Sequence, residues 1–265
     1  MELIDIGCNL THDSFDSDRD EVIQRAHEAG VSQLVVTGAS EAGSVAALEL
    51  ARSQPGTLFA TCGVHPHHAA DFTVETENLM LQLATHEEVR AVGETGLDYF
   101  RDFSPRPTQK SVFERQLNVA ISTGLPLFLH QRDAHRDFIA MVREVRDRVS
   151  RLVVHCFTGS RKEMYECLDL DCHIGITGWI CDERRGTHMQ EYLQDIPSDR
   201  LMVETDSPYL KPRDLRPRVK THRNEPRWLP WIVNTLAACR GESPEELARQ
   251  TTLNARQFFN IQANQ

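Results

Sequence analysis

The sequence lacks the features that would place a protein in a membrane or in an oxidising compartment. Among its 265 residues there is no apolar run long enough to cross a bilayer, and the chain does not open on a basic segment followed by a long apolar stretch. Its seven cysteines are an odd number without a Cys-x-x-Cys pair, which argues against a zinc knuckle and favours a reducing compartment. The sequence therefore predicts a soluble cytoplasmic protein that does not bind membranes.

Basic residues are also scarce, since 29 Lys and Arg stand against 39 Asp and Glu and the net charge is −10. This balance argues against broad electrostatic capture of duplex nucleic acid, so an anionic substrate would have to be bound locally. Residues 211–230 supply a local contrast, with seven Lys or Arg against two Asp or Glu, and Arg223 among them is a candidate phosphate ligand. Four prolines in this segment disfavour a regular helix and predict an ordered loop. A solvated basic loop without a ligand is the alternative.

The chain has no Gly-x-Ser-x-Gly elbow that would indicate a serine hydrolase, and no Gly/Ser-rich linker that would divide it. It has instead eight short apolar runs, most of them separated by segments of helical period. The runs lie at residues 2–6, 33–37, 57–64, 89–93, 126–129, 151–154, 172–177 and 201–203. Eight strands alternating with helices predict an α/β fold, a TIM-type (β/α)8 barrel that forms one domain over residues 1–265.

Four of the apolar runs end on a residue that can bind a hard metal ion. These residues are Glu94, His130, His155 and Asp206. A parallel barrel brings the C-terminal ends of its strands to one face, so residues that are distant in sequence would converge there. Two imidazoles and two carboxylates predict a site for a divalent metal. For any one strand-end histidine a structural role is the commoner alternative, so the prediction depends on the whole set.

Other polar residues near the predicted strand ends are candidates for contacts with a substrate. Glu204 shares a strand face with Asp206, and Asp206 either binds the metal or takes a proton from water. Arg132, Arg184 and Arg185 are candidate phosphate ligands, because guanidinium groups bind phosphate in a bidentate manner; structural ion pairs are the alternative. The candidates for stacking on the bases of a single strand are Tyr99, Phe100, Trp179 and Tyr209.

Several sequence blocks resemble the TatD family of metal-dependent deoxyribonucleases. They are Gly63-Val64-His65-Pro66-His67, Gly93-Glu94-Thr95-Gly96-Leu97-Asp98, His130-Gln131-Arg132-Asp133-Ala134, His155-Cys156-Phe157-Thr158-Gly159, Glu204-Thr205-Asp206-Ser207-Pro208-Tyr209-Leu210, Arg223-Asn224-Glu225-Pro226 and Asn254-Ala255. The likeness runs from about residue 4 to the end of the chain. It implies a TIM-type barrel of the amidohydrolase superfamily and a site role for His65. It also implies metal ligands at Glu94, His130, His155 and Asp206.

One block departs from the pattern of that family. Many members open with Asp-x-His-x-His, which supplies two histidine ligands, whereas here Asp5 is followed by Gly7 and Asn9. Gly7 cannot bind a metal and Asn9 offers only a weak neutral oxygen, so one of two metal positions is expected to be loosened, open or filled only with substrate. The Gly-x-Asn opening resembles the branch of the family described as Mg²⁺-dependent 3′-to-5′ exonucleases on single-stranded DNA and RNA.

The predicted activity is therefore hydrolysis of phosphodiester bonds at the ends of single-stranded DNA or RNA, without an obligate protein partner. Mg²⁺ is the expected metal, with Mn²⁺ and Zn²⁺ as alternatives, and a role in DNA repair or turnover is implied by the resemblance only. The predicted catalytic residues are Asp206, Glu94, His65 and Glu204. One alternative is a small-molecule amidohydrolase or lactonase. The bridging lysine found in many two-metal hydrolases of that superfamily has no evident counterpart in this sequence, which argues against this alternative. The other is a nucleic-acid-binding module that has lost its catalytic metal.

Overall fold

Eight parallel strands form one sheet in the computed structural model, which describes residues 1–263. Each strand pairs with the next one along the chain, from the first to the eighth. The strands are β1 (Leu3–Cys8), β2 (Val31–Val36), β3 (Leu58–Cys62), β4 (Val89–Asp98), β5 (Leu127–Arg132), β6 (Leu152–Val154), β7 (His173–Ile176) and β8 (Leu201–Val203). Every predicted run is thus a strand, and the predicted TIM-type barrel is confirmed.

Backbone hydrogen bonds close the barrel between its last and first strands. The N–H of Asp206, just after β8, donates to the carbonyl of Gly7 in β1 over 2.9 Å. The N–H of Asn9 donates in turn to the carbonyl of Ser207 over 2.7 Å. Because Asp206 takes part in it, this closure fixes one of the predicted site residues to the first strand.

Helices alternate with the strands and form the outer layer of the barrel. They are α1 (Arg19–Glu28), α2 (Glu41–Ser53), α3 (Val74–Leu83), α4 (Arg106–Thr123), α5 (His135–Val145), α6 (Arg161–Leu168), α7 (Thr187–Gln190), α8 (Leu229–Arg240) and α9 (Pro244–Phe259). Gly124 follows α4 in the left-handed region at φ 72°, where a glycine ends a helix without steric cost. Among residues 1–263, no helix combines the length and the apolar character needed to cross a membrane.

The N-terminal end of the barrel is plugged by the last helix. Asn254 of α9 donates to backbone carbonyls just before and at the start of β8, which places the helix at that end. Phe258 and Phe259 are buried against the interior side chains of the strands. Phe128 of β5 lies further along the interior, with its ring centre 4.5 Å from that of His155. A cavity at the barrel axis can therefore open only at the C-terminal ends of the strands.

The fourth strand is longer than predicted. The apolar run predicts an end at Glu94, but β4 continues to Asp98, past a shift in its register with β5 between Val92 and Thr95. The apolar pattern stops before the strand does, because the residues after Val92 are mainly glycine, threonine and acidic residues. Glu94 therefore lies within the strand, and Asp98 is the residue at its end.

The basic segment 211–230 is irregular up to residue 225 and then becomes helical. A 3₁₀ helix covers Pro226–Trp228 and α8 begins at Leu229, so the predicted loop ends several residues early. Pro230 occupies the first turn of α8, where a missing N–H removes no helical hydrogen bond. Proline there starts a helix rather than excluding one.

Candidate metal centre

Glu94 is the centre of a cluster of imidazoles at the C-terminal ends of the strands. Its Oε1 lies 2.8 Å from His155 Nε2 and 3.1 Å from His130 Nδ1. His65 Nε2 lies 3.4 Å from the same oxygen. The barrel thus brings together three predicted metal ligands from β4, β5 and the end of β6, together with the histidine predicted to act beside them.

Asp206, the fourth predicted ligand, lines the cavity above this cluster. Its Oδ1 accepts a hydrogen bond from Asn9 Nδ2 over 3.0 Å. Burial raises the pKa of Asp206 to about 7, against the lowering effect of His155 and with the raising effect of Glu94 and Glu204. A carboxyl group with such a pKa can accept or release a proton near neutral pH. Asn9 here holds a carboxylate in place.

The charges of the cluster compensate one another. Burial works to raise the pKa of Glu94, but His155 and His65 hold that pKa well below its usual range. Burial likewise works to lower the pKa of His155, but Glu94 and Glu204 hold it well above its usual range. Glu94 is therefore ionised and His155 is protonated at neutral pH. A divalent cation that binds between them would displace the imidazole proton.

The donor atoms suit a divalent metal. The ligand atoms of His65, Glu94 and His130 lie within 4.8 Å of one another, and those of His155 and Asp206 face the same cavity. His130 Nε2 is buried without a hydrogen-bond partner among the described residues, although a carboxylate oxygen lies 3.4 Å away. A mixture of imidazole nitrogens and carboxylate oxygens fits ions from Mg²⁺ to Zn²⁺. The structure therefore contains a group of residues able to bind such an ion.

The hydrogen bonds of His65 indicate that its Nε2 is a hydrogen-bond donor and not a metal ligand. Its Nδ1 accepts the backbone N–H of His67 over 3.1 Å. A neutral imidazole whose Nδ1 accepts carries its proton on Nε2, the atom that faces Glu94. Burial lowers the pKa of His65 well below its usual value, against the opposing effect of Glu94, so the ring is neutral. His65 therefore presents an Nε2–H to Glu94.

Glu204 is fully buried and supports His155 from the barrel interior. Its Oε2 lies 3.3 Å from His155 Nδ1, and its Oε1 accepts the backbone N–H of Cys156 over 2.5 Å. Two glycines make room for this carboxylate: a Cβ on Gly7 would lie 2.4 Å from Oε2, and one on Gly175 would lie 2.6 Å from Oε1. Glu204 does not line the cavity formed by the described residues, and its side chain contacts the cluster through Nδ1 of His155.

Two residues that complete the cluster, Asp98 and His67, are not among the predicted site residues. Asp98 Oδ2 lies 2.9 Å from His67 Nε2 and 3.4 Å from His130 Nε2. Residues four apart in a strand share a face, so the pair Glu94 and Asp98 is a signal that the sequence contains. The sequence prediction ended β4 at Glu94, which left Asp98 outside the strand, and it therefore did not include Asp98 in the site.

A cavity of about 460 Å³ opens over the cluster, and its outer wall is basic and aromatic. Arg132 lies with its guanidinium carbon 3.9 Å from the centre of the Phe100 ring, and Arg185 lies 4.2 Å from that of Trp179. Both arginines line the cavity, together with Tyr209, whose side chain is half exposed. An acidic floor under a basic and aromatic wall suits a metal-bound phosphate that carries a nucleoside.

The other two arginines predicted to bind phosphate lie in ion pairs away from the cavity lining of the described residues. Arg184 donates to both oxygens of Asp182, a carboxylate that also pairs with Arg185. Arg223 donates to the two oxygens of Asp18, each over 2.7 Å. These guanidinium groups hold loops together. A phosphate contact by either of them stays a prediction.

Comparisons with known proteins agree with this geometry. The sequence model of a family described as TatD related DNase matches residues 4–260. A relative from Erwinia tasmaniensis, named 3′-5′ ssDNA/RNA exonuclease TatD, is 49% identical over 98% of this chain and 100% of its own length. The solved structure of a TatD homologue from Escherichia coli has a TM-score of 0.88 at 27% identity and covers 98% of both chains. An uncharacterised amidohydrolase from Saccharomyces cerevisiae shares the fold, with a TM-score of 0.86 at 24% identity over 98% of this chain and 100% of that one. The chain therefore belongs to the TatD related DNase family and is a nuclease of the TatD type.

Proposed function

We propose that this chain is a metal-dependent exonuclease that removes nucleotides from the 3′ ends of single-stranded DNA and RNA. The observation that carries the proposal is the single oxygen of Glu94 between His130 and His155, beneath a cavity with a basic and aromatic wall. The name of the Erwinia relative, a 3′-5′ ssDNA/RNA exonuclease, supports both the polarity and the substrate. We further propose that residues 1–265 act as one domain in the cytoplasm, in DNA repair or turnover.

The cation would be held by Glu94, His130 and His155, with Asp206 beside it as a further ligand or as the base. Mg²⁺ is the proposed ion because carboxylates favour hard cations, and the two imidazoles make Mn²⁺ and Zn²⁺ the alternatives. When bound, such an ion polarises the phosphoryl oxygens and lowers the pKa of water.

Asp206 accepts the proton of the attacking water in this proposal. Its pKa of about 7 suits a base at neutral pH, and the hydrogen bond from Asn9 fixes its orientation. His65 carries a proton on Nε2, and this N–H donates a hydrogen bond to Glu94 or to a phosphate oxygen that enters the cavity. As a neutral donor it contacts the phosphate without competing for the cation.

The strand end is bound by the outer wall of the cavity. Arg132 and Arg185 contact the phosphates, and Trp179 and Tyr209 offer faces on which bases stack without regard to sequence. A volume of about 460 Å³ is in the range of pockets that hold one small ligand, which favours a single unpaired end over an intact duplex.

Product analysis on oligonucleotides labelled at either end tests the proposal. In Mg²⁺ we expect a 5′-labelled strand to shorten one nucleotide at a time, a 3′ label to be released at once as a mononucleotide, and EDTA to abolish both. The same assay in Mn²⁺ and Zn²⁺ identifies the preferred ion. Shortening from the 5′ end would contradict the polarity. Binding of the oligonucleotide without shortening would support a non-catalytic binding module. If the oligonucleotide is neither bound nor shortened, the small-molecule hydrolase is the alternative that stands.

A further inference from the structure

We propose that His67, held by Asp98, is the acid that protonates the leaving oxygen of the nucleic acid. The inference rests on the proposed function, in which a terminal nucleotide is removed and the O3′ atom of the next nucleotide leaves. An alkoxide is a poor leaving group, so a positioned proton donor accelerates this step. None of the residues assigned so far supplies that proton.

The other histidines of the cavity are unsuited to the task. His130 and His155 each face Glu94 with one nitrogen and lie beside a second carboxylate with the other. His65 has an accepting Nδ1 and directs its Nε2–H at Glu94. His68 lines the cavity, but its ring has no hydrogen-bond partner among the described residues that would orient it.

His67 has the geometry of a supported acid. Its Nε2 lies 2.9 Å from Asp98 Oδ2, and its Nδ1 has no hydrogen-bond partner within residues 1–263. The side chain is 27% exposed and lines the cavity. An imidazole with one nitrogen on a carboxylate and the other free for a substrate is oriented for proton transfer.

Asp98 is itself rigidly held. Its side chain is 2% exposed, and its Oδ1 accepts the backbone N–H groups of Phe100 and Arg101 over 2.9 and 2.8 Å. Its Oδ2 also lies 3.4 Å from His130 Nε2. One buried carboxylate therefore positions both a metal ligand and His67, which keeps the acid at a fixed place relative to the cation.

His67 is close to the cluster without belonging to the proposed ligands. Its ring centre lies 4.2 Å from that of His65, the residue that presents a donor to the phosphate. The centre of the His67 ring also lies 4.7 Å from that of Phe103, an exposed aromatic residue. A phosphate beside His65 would therefore have its leaving oxygen near His67.

The proposed step balances in atoms and charge. The oxygen of water forms a bond to phosphorus while the bond from phosphorus to O3′ breaks. The proton of water passes to Asp206, and the Nδ1 proton of the His67 imidazolium passes to O3′. The products are a 5′-mononucleotide and a shortened strand with a 3′ hydroxyl. Exchange with solvent then removes the proton from Asp206 and returns one to His67.

A change of leaving atom tests this assignment. A terminal linkage with bridging sulfur in place of O3′ expels a thiolate, which needs no protonation, whereas the natural linkage needs an acid. His67→Gln keeps a polar side chain but cannot transfer a proton. In Mg²⁺ we expect it to lower kcat about 100-fold or more on the oxygen linkage and less than about threefold on the sulfur linkage.

Two further variants complete the experiment. His86→Gln is the matched control, because His86 contacts Arg52 outside the cavity and its loss should leave both rates unchanged. Asp98→Asn weakens the support of His67 without removing the imidazole, so it should show the same preference for sulfur to a smaller degree. If His67→Gln does not fold, the rates of Asp98→Asn on the oxygen and sulfur linkages test the assignment instead.

The outcomes are distinct. An equal loss on both linkages would mean that His67 only positions other groups, and an unchanged rate on the oxygen linkage would remove it from the reaction. Either result overturns the assignment while the exonuclease activity stands. If the unmodified enzyme shortens neither strand, the proposed function itself fails.

Discussion

The carboxylate of Glu204 occupies the space that a side chain on residue 7 would need. A Cβ at Gly7 would lie 2.4 Å from Glu204 Oε2 and 2.9 Å from the tip of the Phe128 ring. The same carboxylate approaches Nδ1 of His155, a proposed metal ligand. Where an Asp-x-His-x-His opening would bring a histidine from the first strand, this chain uses a carboxylate from the last strand to support a histidine at the end of the sixth.

Introducing a histidine at position 7 is therefore expected to impair the enzyme. Gly7→His would force Glu204 away from His155, and loss of such support typically weakens metal binding or activity about 10–100-fold. Gly7→Ala places a single carbon in the same space and should show a smaller loss. Mg²⁺-dependent nuclease rates and thermal unfolding measure both effects. Higher activity of Gly7→His, with an additional metal bound per chain, would contradict the interpretation.

The support that Glu204 gives to His155 can be tested directly. Glu204→Gln keeps the size of the side chain but removes the charge beside the imidazole, so the affinity for Mg²⁺ should fall about 10–100-fold. The rate at saturating Mg²⁺ should fall less, because the cavity itself is unchanged. Glu166→Gln is the matched control, since Glu166 pairs with His135 away from the cavity. A loss of kcat without a change in the Mg²⁺ dependence would mean that Glu204 has another role.

The positions of the two proposed histidine ligands, His130 and His155, were predictable because each follows an apolar run. His155 comes directly after Leu152–Val154, a buried strand whose end locates the residue on the open face of the barrel. Asp98 was not predictable in this way, because polar residues precede it in β4. The pairing of Arg223 with Asp18 was also hidden, since the two lie 205 positions apart and only the fold brings them together.

Metal binding is expected to release protons. Glu94 and Glu204 raise the pKa of His155, so the ring is protonated at neutral pH and must lose a proton when Nε2 binds a cation. The apparent affinity for Mg²⁺ should therefore increase as the pH rises. Calorimetric titration in buffers with different enthalpies of ionisation measures the number of protons released. Affinity that is independent of pH would argue against His155 as a ligand.

Arg223 and Arg132 are expected to separate stability from substrate binding. Arg223→Gln breaks the bonds to Asp18 and should lower the free energy of unfolding by about 1–2 kcal/mol, with little change in KM. Arg132→Gln should instead raise KM for oligonucleotides and leave the Tm nearly unchanged, because Arg132 lines the cavity and no ion pair of its guanidinium is found among residues 1–263. If Arg223→Gln instead raised KM and Arg132→Gln lowered the stability, Arg223 would again be the better candidate for a phosphate ligand.

The stabilisation by Arg223 should also depend on pH in a defined direction. The hydrogen bonds from Arg223 lower the pKa of Asp18 from 3.8 to about 2, with burial opposing and Arg25 adding to the effect. A carboxyl group whose pKa is lower in the folded state stabilises the fold above its unfolded pKa, and this contribution is lost as the pH falls through the folded value. The difference in Tm between the wild type and Arg223→Gln should therefore be constant above about pH 5 and shrink between about pH 4 and pH 2. A difference that persists unchanged at pH 2 would show that Arg223 stabilises the fold through other contacts, such as its packing 4.9 Å from the Phe15 ring.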